Sequence, residues 1–543
     1  MLDQSMNAHK VSLDTLPHDI LYHIIRSISI QDMLRLQQTS TFFQTLFETR
    51  SIWSEAYRTT SLPLHAGPFP HQSTQTLKHA LAKTDKVSRN WAPYAPKPKR
   101  TRTFNADRFI DARVLAGRWL MGRLIDERSI ACVDMDRISK EGELMPQTVM
   151  YQCEEGMRIS FHECLTTIGL DGHAITISVL HEGPRDENTP IFASSARMSR
   201  SSRRMSGSSP RMSASYEAER RPETMKIFKV TGLDGPGPAL GFEFMASYPF
   251  AWDPRQGGWT CAIASRLLVI AKAAQYGDDE TLYIDLESFK TYIVSLPPFR
   301  GKCFSPLFVS CATHLLVFRR AKQRLTNTVR HTDTVRNTNT TLDALALPAP
   351  NARFHHSALK ISHHAQLPFD ISETHVLHDP ALAPWKHKSH IVLLAKVTPV
   401  NTGPNLSVVQ VALTDREGNS DDSGLGSITC FVEPLFPYQS QDTIKIGDAQ
   451  GSASNGSVRA LRVRVNPSDF NNGTVDTFVF TLTDNADMLT DNRRCEVVQS
   501  TVMEVLRGWY GKQVVEYFDG MRGRLLWRKM YSTAANYSLV DYA

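Results

Sequence analysis

The sequence predicts a mainly β protein with a small three-helix module at its N-terminus and a large strand-rich domain behind it. Three observations carry that prediction. Residues 11–58 place apolar side chains at helical spacing, and from about residue 105 short β-rich runs alternate with turn signals. At 543 residues the chain is long enough for several small domains, or for one large repeat domain with something small attached.

Composition excludes several classes. Lysine and arginine number 61 against 55 acidic residues, a net charge of +6, too mild over this length to mark nucleic-acid binding. No apolar run approaches the roughly 18 residues of a membrane span. The longest, 267–271 and 391–395, read as strands. Residues 1–10 are polar, and no signal-peptide core follows them. Eight cysteines are scattered without a Cys-x-x-Cys pair, the usage of a reducing compartment. The expectation is a soluble intracellular protein of the cytoplasm, the nucleus or both, with no membrane or nucleic-acid partner.

In the N-terminal module, Ile20, Leu21, Ile24, Ile25 and Ile28 form one helical stripe. Pro17 suits the first turn and Asp19 complements the helix dipole. Ser29 with Asp32 resembles a capping box that opens a second helix bearing Met33, Leu34 and Leu36. Ser40 or Thr41 caps a third, carrying Phe43, Leu46 and Phe47, and Ser51 restarts a short turn with Trp53 and Tyr57. Three short helices bury too little of themselves to be comfortably stable, yet these hold more apolar surface than they can hide. A partner or the rest of the chain must cover the surplus.

The run Leu16-Pro17-His18-Asp19-Ile20-Leu21, followed by Ile24-Ile25, by Met33-Leu34-Arg35-Leu36-Gln37-Gln38-Thr39-Ser40, and by Phe43 and Trp53, resembles an F-box. The resemblance spans residues 11–58 only. It implies that the Leu-Pro opening and first helix dock on a Skp-type adaptor, which in turn holds a cullin ubiquitin-ligase scaffold. The implied adaptor contacts are Leu16, Pro17, Ile20, Leu21, Ile24 and Leu34.

Residues 59–104 read as a Pro-rich, basic linker with a possible short helix at 74–84, where Leu77, Ala80 and Leu81 align. Its cluster Pro96-Lys97-Pro98-Lys99-Arg100-Thr101-Arg102 reads as solvated linker, with nuclear localisation as the alternative.

Beyond it, strand-like runs fall at 118–124, 129–135, 157–168, 174–180, 226–230, 267–271, 281–286, 291–296, 314–318, 391–397, 406–413, 458–465, 475–482, 496–506, 514–518, 524–527 and 537–540. The region is too long for one sandwich, whereas about seven blades of ~40–50 residues would fill it as a β-propeller-like domain. Gly117-Arg118-Trp119-Leu120 is followed by Val133-Asp134, Ser265-Arg266-Leu267-Leu268 by Ile284-Asp285, and Gly523-Arg524-Leu525-Leu526 by Val540-Asp541. These units resemble degenerate WD repeats, with an apolar-Asp pair where Trp-Asp usually stands. The aspartate can accept backbone N–H groups in the following turn. The last strand is expected to complete a ring with a first blade near residue 110.

Three polar insertions are expected, at 193–222, 327–364 and 415–427. The first is Arg/Ser-rich, repeats Arg-Met-Ser, and includes Arg203-Arg204-Met205-Ser206, a basophilic kinase pattern or a passive loop. The last contains Asp422-Ser423-Gly424-Leu425-Gly426-Ser427, a double-serine phosphodegron pattern that also arises by chance in such loops.

No catalytic group can be nominated. His355-His356, His363-His364 and His387…His390 lack partners at metal-ligand spacing. Gly235–Gly241 has prolines where a phosphate loop needs N–H groups, and 508–513 lacks P-loop spacing. No cofactor or metal is implied. The expected function is a non-catalytic substrate receptor: helices hold the adaptor while the β-domain presents a target protein. The alternative is a β-propeller interaction scaffold with no ligase role.

Overall fold

The computed structural model describes residues 13–541 apart from connecting segments, of which the longest are 185–222, 321–339, 348–360 and 483–494; between 443 and 506 it describes backbone alone. The expected insertion at 193–222, with its Arg-Met-Ser repeats, and the histidines at 355, 356 and 387 lie outside the described residues.

A single 3-10 turn at Leu13–Thr15 leads into α1 (His18–Ser27), α2 (Ile30–Leu36), α3 (Thr41–Leu46) and α4 (Arg50–Thr59). Pro17 is the N-cap of α1, one position before the first turn. At α2, Ser29 Oγ accepts from Asp32 N at 3.1 Å and donates to the Asp32 carboxylate at 2.7 Å. Ser40 Oγ accepts from Phe43 N at 3.3 Å and caps α3. As acceptors the two serine hydroxyls each satisfy an amide that the helix start would otherwise leave unpaired. The turn expected at Ser51 is instead a full helix with Thr49 at its N-cap position.

A fifth helix, α5 (Thr74–Trp91), lies where a short one was expected to end near residue 84. Leu77, Leu81, Thr84, Val87 and Trp91 are its buried residues, one stripe at three- and four-residue steps. The polar run between Lys86 and Asn90 hides the second half of that stripe from a reading of composition. Leu77 and Leu81 close the module's core over Leu21, Met33, Phe47, Ile52, Trp53 and Tyr57. Much of the surplus apolar surface is therefore covered by the chain itself.

Among the described residues the strands form seven four-stranded antiparallel units. The first is β2 (Phe109–Leu115), β3 (Trp119–Leu124), β4 (Ser129–Asp134) and β5 (Thr148–Gln152); the second is β6 (Met157–Ile168), β7 (Ala174–Pro184), β8 (Thr224–Thr231) and β9 (Gly241–Pro249). The third is β10 (Trp259–Ala264), β11 (Leu267–Lys272), β12 (Glu280–Asp285) and β13 (Thr291–Ser295); the fourth is β14 (Leu307–Ser310), β15 (His314–Arg320), β16 (Thr340–Ala346) and β17 (Ile361–Leu367). The fifth is β18 (Phe369–His378), β19 (Ile391–Pro399), β20 (Asn405–Thr414) and β21 (Gly426–Pro437); the sixth is β22 (Thr443–Ile446), β23 (Ser457–Asn466), β24 (Asp469–Leu482) and β25 (Cys495–Leu506). The seventh takes β26 (Lys512–Asp519), β27 (Arg524–Met530) and β28 (Ala535–Asp541) from the C-terminus and β1 (Arg100–Asn105) from just after α5.

Among the described side chains, apolar clusters fill spaces between neighbouring units, as between the first and second (Trp119, Met121, Ile159, Leu180, Phe228) and between the seventh and first (Phe104, Leu120, Val133, Leu526, Leu539). First strands of neighbouring units adjoin, as β6 with β10, β10 with β14 and β22 with β26, so they line the inside of the ring. This is a seven-bladed β-propeller-like domain, in which ring closure removes open sheet edges.

Closure differs from the expectation. The partner of β28 is β1, with Arg100 opposite Asp541 and Asn105 opposite Asn536, rather than a strand near residue 110. The basic cluster is thus not linker throughout. Arg102 is buried, and its guanidinium donates to Asp541 at 2.5 Å and to the Met135 carbonyl at 2.7 Å. Arg524 spans the same seam, reaching Asp541 at 2.7 Å, Asp136 at 2.7 Å and the Gly117 carbonyl at 2.5 Å. The fork geometry is what one planar guanidinium supplies and an ammonium does not. Arg524→Lys is therefore expected to cost about 2 kcal/mol, read as an earlier urea midpoint of the strand signal; an unchanged midpoint would show that the seam tolerates the loss.

Two other expected insertions are shorter than the sequence suggests. Within 327–364, Thr340–Ala346 is a strand with five buried residues. It escaped notice because its centre is an aspartate, Asp343. At 415–427, Gly426 and Ser427 already belong to β21, while residues 422–424 lie outside the described residues. Gly426 and Ser427 pair in parallel with His363 and His364 of β17, which joins the fourth and fifth blades into one eight-stranded sheet. Only glycine allows this approach, since a Cβ at residue 426 would overlap the His363 ring. Ser427 also pairs with Thr414, so its backbone is held on both sides.

Candidate protein-interaction surfaces

The faces of α1 differ in exposure. Successive residues turn by about 100°, so Pro17, Ile20 and Ile24 share a side, Leu21 and Ile25 turn inward, and Tyr22 and Arg26 lie on the far side. Leu21 is 2% exposed and sits in the module's core. It is therefore unavailable to a partner, and its place among the expected contacts is corrected: it holds the helix to the core. Ile20 is 46% exposed, Pro17 is exposed, and Leu16 and Ile24 are half-buried. Leu34 is half-buried against the core, while its neighbour Met33 takes the buried position on α2.

Leu13, 48% exposed, was missed. The signal was present, an apolar residue three positions before Leu16, but a lone 3-10 turn has too little periodicity to announce itself. Leu13 and Ile20 are the two large apolar side chains this module exposes among the described residues. Together with Leu16, Pro17 and Ile24 they make an apolar strip on an otherwise sealed unit.

The module is seated on the ring at two points. Trp91 at the end of α5 lies 5.7 Å from Phe518 at the end of β26. Phe69 packs on Leu382, just after β18. Both ring contacts follow first strands, which run in one sense around the axis, so both lie on one face. The approach to Phe69 is fixed locally. Gly67 has a φ of +151°, and a Cβ there would come within 2.8 Å of Gln72 Oε1, the atom that accepts from Phe69 N at 2.7 Å. Arg50 completes the turn, donating to the Phe69 carbonyl at 2.6 Å and the Gln72 carbonyl at 2.9 Å. Pro184 and Thr224, and likewise Arg320 and Thr340, end and begin second and third strands on the opposite face.

In two of the three repeat units an ion pair joins the arginine to the aspartate, while Arg266 of the third lies outside the described residues. Asp134 accepts from Asp136 N at 3.0 Å, the expected role, and also pairs with Arg118 at 2.6 Å. Asp541 pairs with Arg524 in the same way. The arginine recurring before each apolar pair was the sequence signal for this bond, and its chemistry was not read.

Burial pushes the Cys132 thiol up to about 11 and those of Cys164, Cys261 and Cys430 to about 12, so near neutrality they are protonated and behave as small apolar groups. Ser160 Oγ lies 2.6 Å from His181 Nδ1, and Glu223 lies 3.6 Å from the other ring nitrogen. With the histidine 4% exposed, this row ties β6 and β7 to the residue that precedes β8. Among the described residues no group of three or more His, Cys, Asp or Glu is placed to hold a metal ion, and no helix is long and apolar enough to cross a membrane. His363 and His364 sit on β17, where His364 bonds to Asp343 at 2.6 Å.

Residues 13–59 match the family model described as F-box-like. The helical module is F-box-like. No curated protein matches the chain. Among solved structures, it is similar to the WD40 domain of SCAP from fission yeast, at 9% identity over 82% of this chain and 94% of that one, with a TM-score of 0.30. It is also similar to the β-propeller domain of the Trilobed protease from Pyrococcus furiosus, at 8% identity over 81% and 95%, with a TM-score of 0.34. An F-box-like module placed ahead of a β-propeller makes this chain a protein-interaction adaptor.

Proposed function

We propose that the protein is the non-catalytic substrate receptor of a cullin-type ubiquitin ligase. The F-box-like module binds a Skp-type adaptor through Leu13, Leu16, Pro17, Ile20, Ile24 and the exposed side of Leu34. The propeller face away from the helices holds a target protein. Ubiquitin transfer occurs elsewhere in the complex, and this chain contributes proximity, which raises effective concentration. Such a receptor would act in the cytoplasm or the nucleus. The observation that carries the reading is the exposure of Leu13 and Ile20, 48% and 46%, on a module whose other large apolar side chains are, among the described residues, buried or half-buried. Apolar residues at the centre of a standard interface of roughly 800 Å² per partner dominate its energy.

Ile20→Glu tests this. An exposed position tolerates the change within about 0.5 kcal/mol, so the thermal midpoint should hold. Adaptor recovery on co-expression should fall more than about tenfold, since a charge would be buried unpaired. Equal recovery from both proteins would remove the ligase reading. The seating of α5 and Phe69 on the ring supports a second reading, a scaffold whose helices serve the propeller alone; it predicts no adaptor recovery from either protein.

A further inference from the structure

The seam between the third and fourth blades is not wholly apolar. Tyr283 of β12 packs with Leu315, Val317 and Leu345 of the fourth blade. Alternate residues of a strand share a face, so Thr281 turns to the same side of β12. On the fourth blade, Arg319 follows Val317 by two positions, and Thr341 and Asp343 precede Leu345 by four and two, so they turn into the same seam. The registers run without a bulge, with Val269 opposite Tyr283, Val317 opposite Asp343 and Arg319 opposite Thr341. As third strands, β12 and β16 run in one sense. Thr281 and Thr341, each near the start of its strand, therefore lie towards one end of the seam, the end away from the helices.

Three hydroxyls of this layer are unmatched. Tyr283 and Thr281 are both 0% exposed and Thr341 is half-buried, and no protein group bonds to Tyr283 Oη, Thr281 Oγ1 or Thr341 Oγ1. A buried hydroxyl left alone is costly, and native interiors match nearly all such atoms with protein or with water. Burial pushes the Tyr283 phenol far above its ordinary value, with Asp343 and Arg319 within electrostatic reach, so near neutrality it keeps its proton and can donate. The same burial closes the seam to a macromolecule or a bulky ligand. The charges disfavour an ion. Both oxygens of Asp343 are engaged, by Arg319 at 2.5 Å and by His364 at 2.6 Å, which leaves none for a cation, and an anion would face that same carboxylate.

We propose that this seam is a binding site for an ordered internal water, held by Tyr283 Oη and Thr281 Oγ1 from the third blade and by Thr341 Oγ1 from the fourth. About three partners is usual for a buried water. Hydroxyls both donate and accept, so each can turn to whichever bond the water leaves open. The water joins the two blades by hydrogen bonds where the rest of the seam uses apolar contact, and it places the Arg319–Asp343–His364 row in a polar layer shared by both blades. The site is independent of whatever the propeller or the helices bind.

Tyr283→Phe and Thr281→Val each remove one hydroxyl and keep the shape of the side chain. They are compared with the double variant by native-state amide hydrogen exchange of residues 280–285 and 315–320 in the full chain. Losing one bond to the water should quicken exchange there about fivefold, the worth of one buried hydrogen bond. An unmatched hydroxyl gives the opposite sign, because its removal relieves a cost and slows exchange. The double variant should quicken exchange by less than the product of the single effects, since the first change already loosens the shared water. A crystal structure of the wild-type chain that resolves ordered water should place one within about 3.2 Å of Tyr283 Oη. The proposal is overturned by unchanged or slower exchange in Tyr283→Phe, by single effects that simply multiply, or by a crystal structure in which Tyr283 Oη meets a protein group, or nothing, instead of water.

Discussion

Asp343→Ala is expected to be among the most damaging single changes in the propeller, costing about 3–5 kcal/mol. Asp343 is fully buried at the centre of β16, and Arg319 on β15 is 2% exposed; the guanidinium donates to the carboxylate at 2.5 Å. His364 on β17 completes the row, its Nδ1 2.6 Å from the other carboxylate oxygen. The row crosses three strands of one blade, with Val317, Asp343 and His364 in register. Removing the acid leaves a guanidinium in an apolar layer without its countercharge, which is far worse than losing a surface pair. Asp343→Asn keeps the shape and should recover about half the loss. A doubly apolar variant, Arg319→Met with Asp343→Leu, should come close to wild type, because a buried ion pair barely offsets its own desolvation. Thermal unfolding of the four proteins checks the order. If Asp343→Ala melts with the wild type, the pair is not carrying the blade.

Trp53→Ala should uncouple the F-box-like module from a ring that stays folded. Trp53 is fully buried, its ring 5.9 Å from that of Phe47, and its Nε1 donates to the Phe47 carbonyl at 2.7 Å. The Lys78 ammonium of α5 lies 5.8 Å over the same ring, so one side chain joins α3, α4 and α5. The cavity left behind costs about 3–5 kcal/mol. A unit this small has little stability to spare. Limited proteolysis should cut the variant before residue 100 and leave the strand domain whole, and adaptor recovery should fail. Trp53→Phe, losing mainly one hydrogen bond, should cost about 1–2 kcal/mol and retain recovery. A protease-resistant Trp53→Ala module would refute this account of its core.

How legible the propeller was depends on the strand. The second and third strands of nearly every blade stood out, among them β3, β4, β11, β19 and β20. They pack on both faces, as the burial of every residue in β4 and of the first five in β19 shows, and so read as continuous apolar runs. The exception, β16, carries Asp343 at its middle. Most first and fourth strands went unread, including β2, β5, β9, β17 and β21. Outer strands such as β5 and β9 contain no fully buried residue, so their composition resembles that of loops. In the helical module the caps at Ser29 and Ser40 were legible because they are bonds between near neighbours in sequence, whereas the inward turn of Leu21 was not.

Sequence alone settled the order of the two modules, the β class of the larger one and the Leu-Pro opening of the smaller, since each is a local pattern of side-chain type. Tertiary structure decided which residues of α1 remain outside, that α5 roofs the core, and that residues 100–105 close the ring. The reason is distance along the chain: Arg102 meets Asp541 across 439 positions, and no periodicity within a strand or helix encodes a partner that remote.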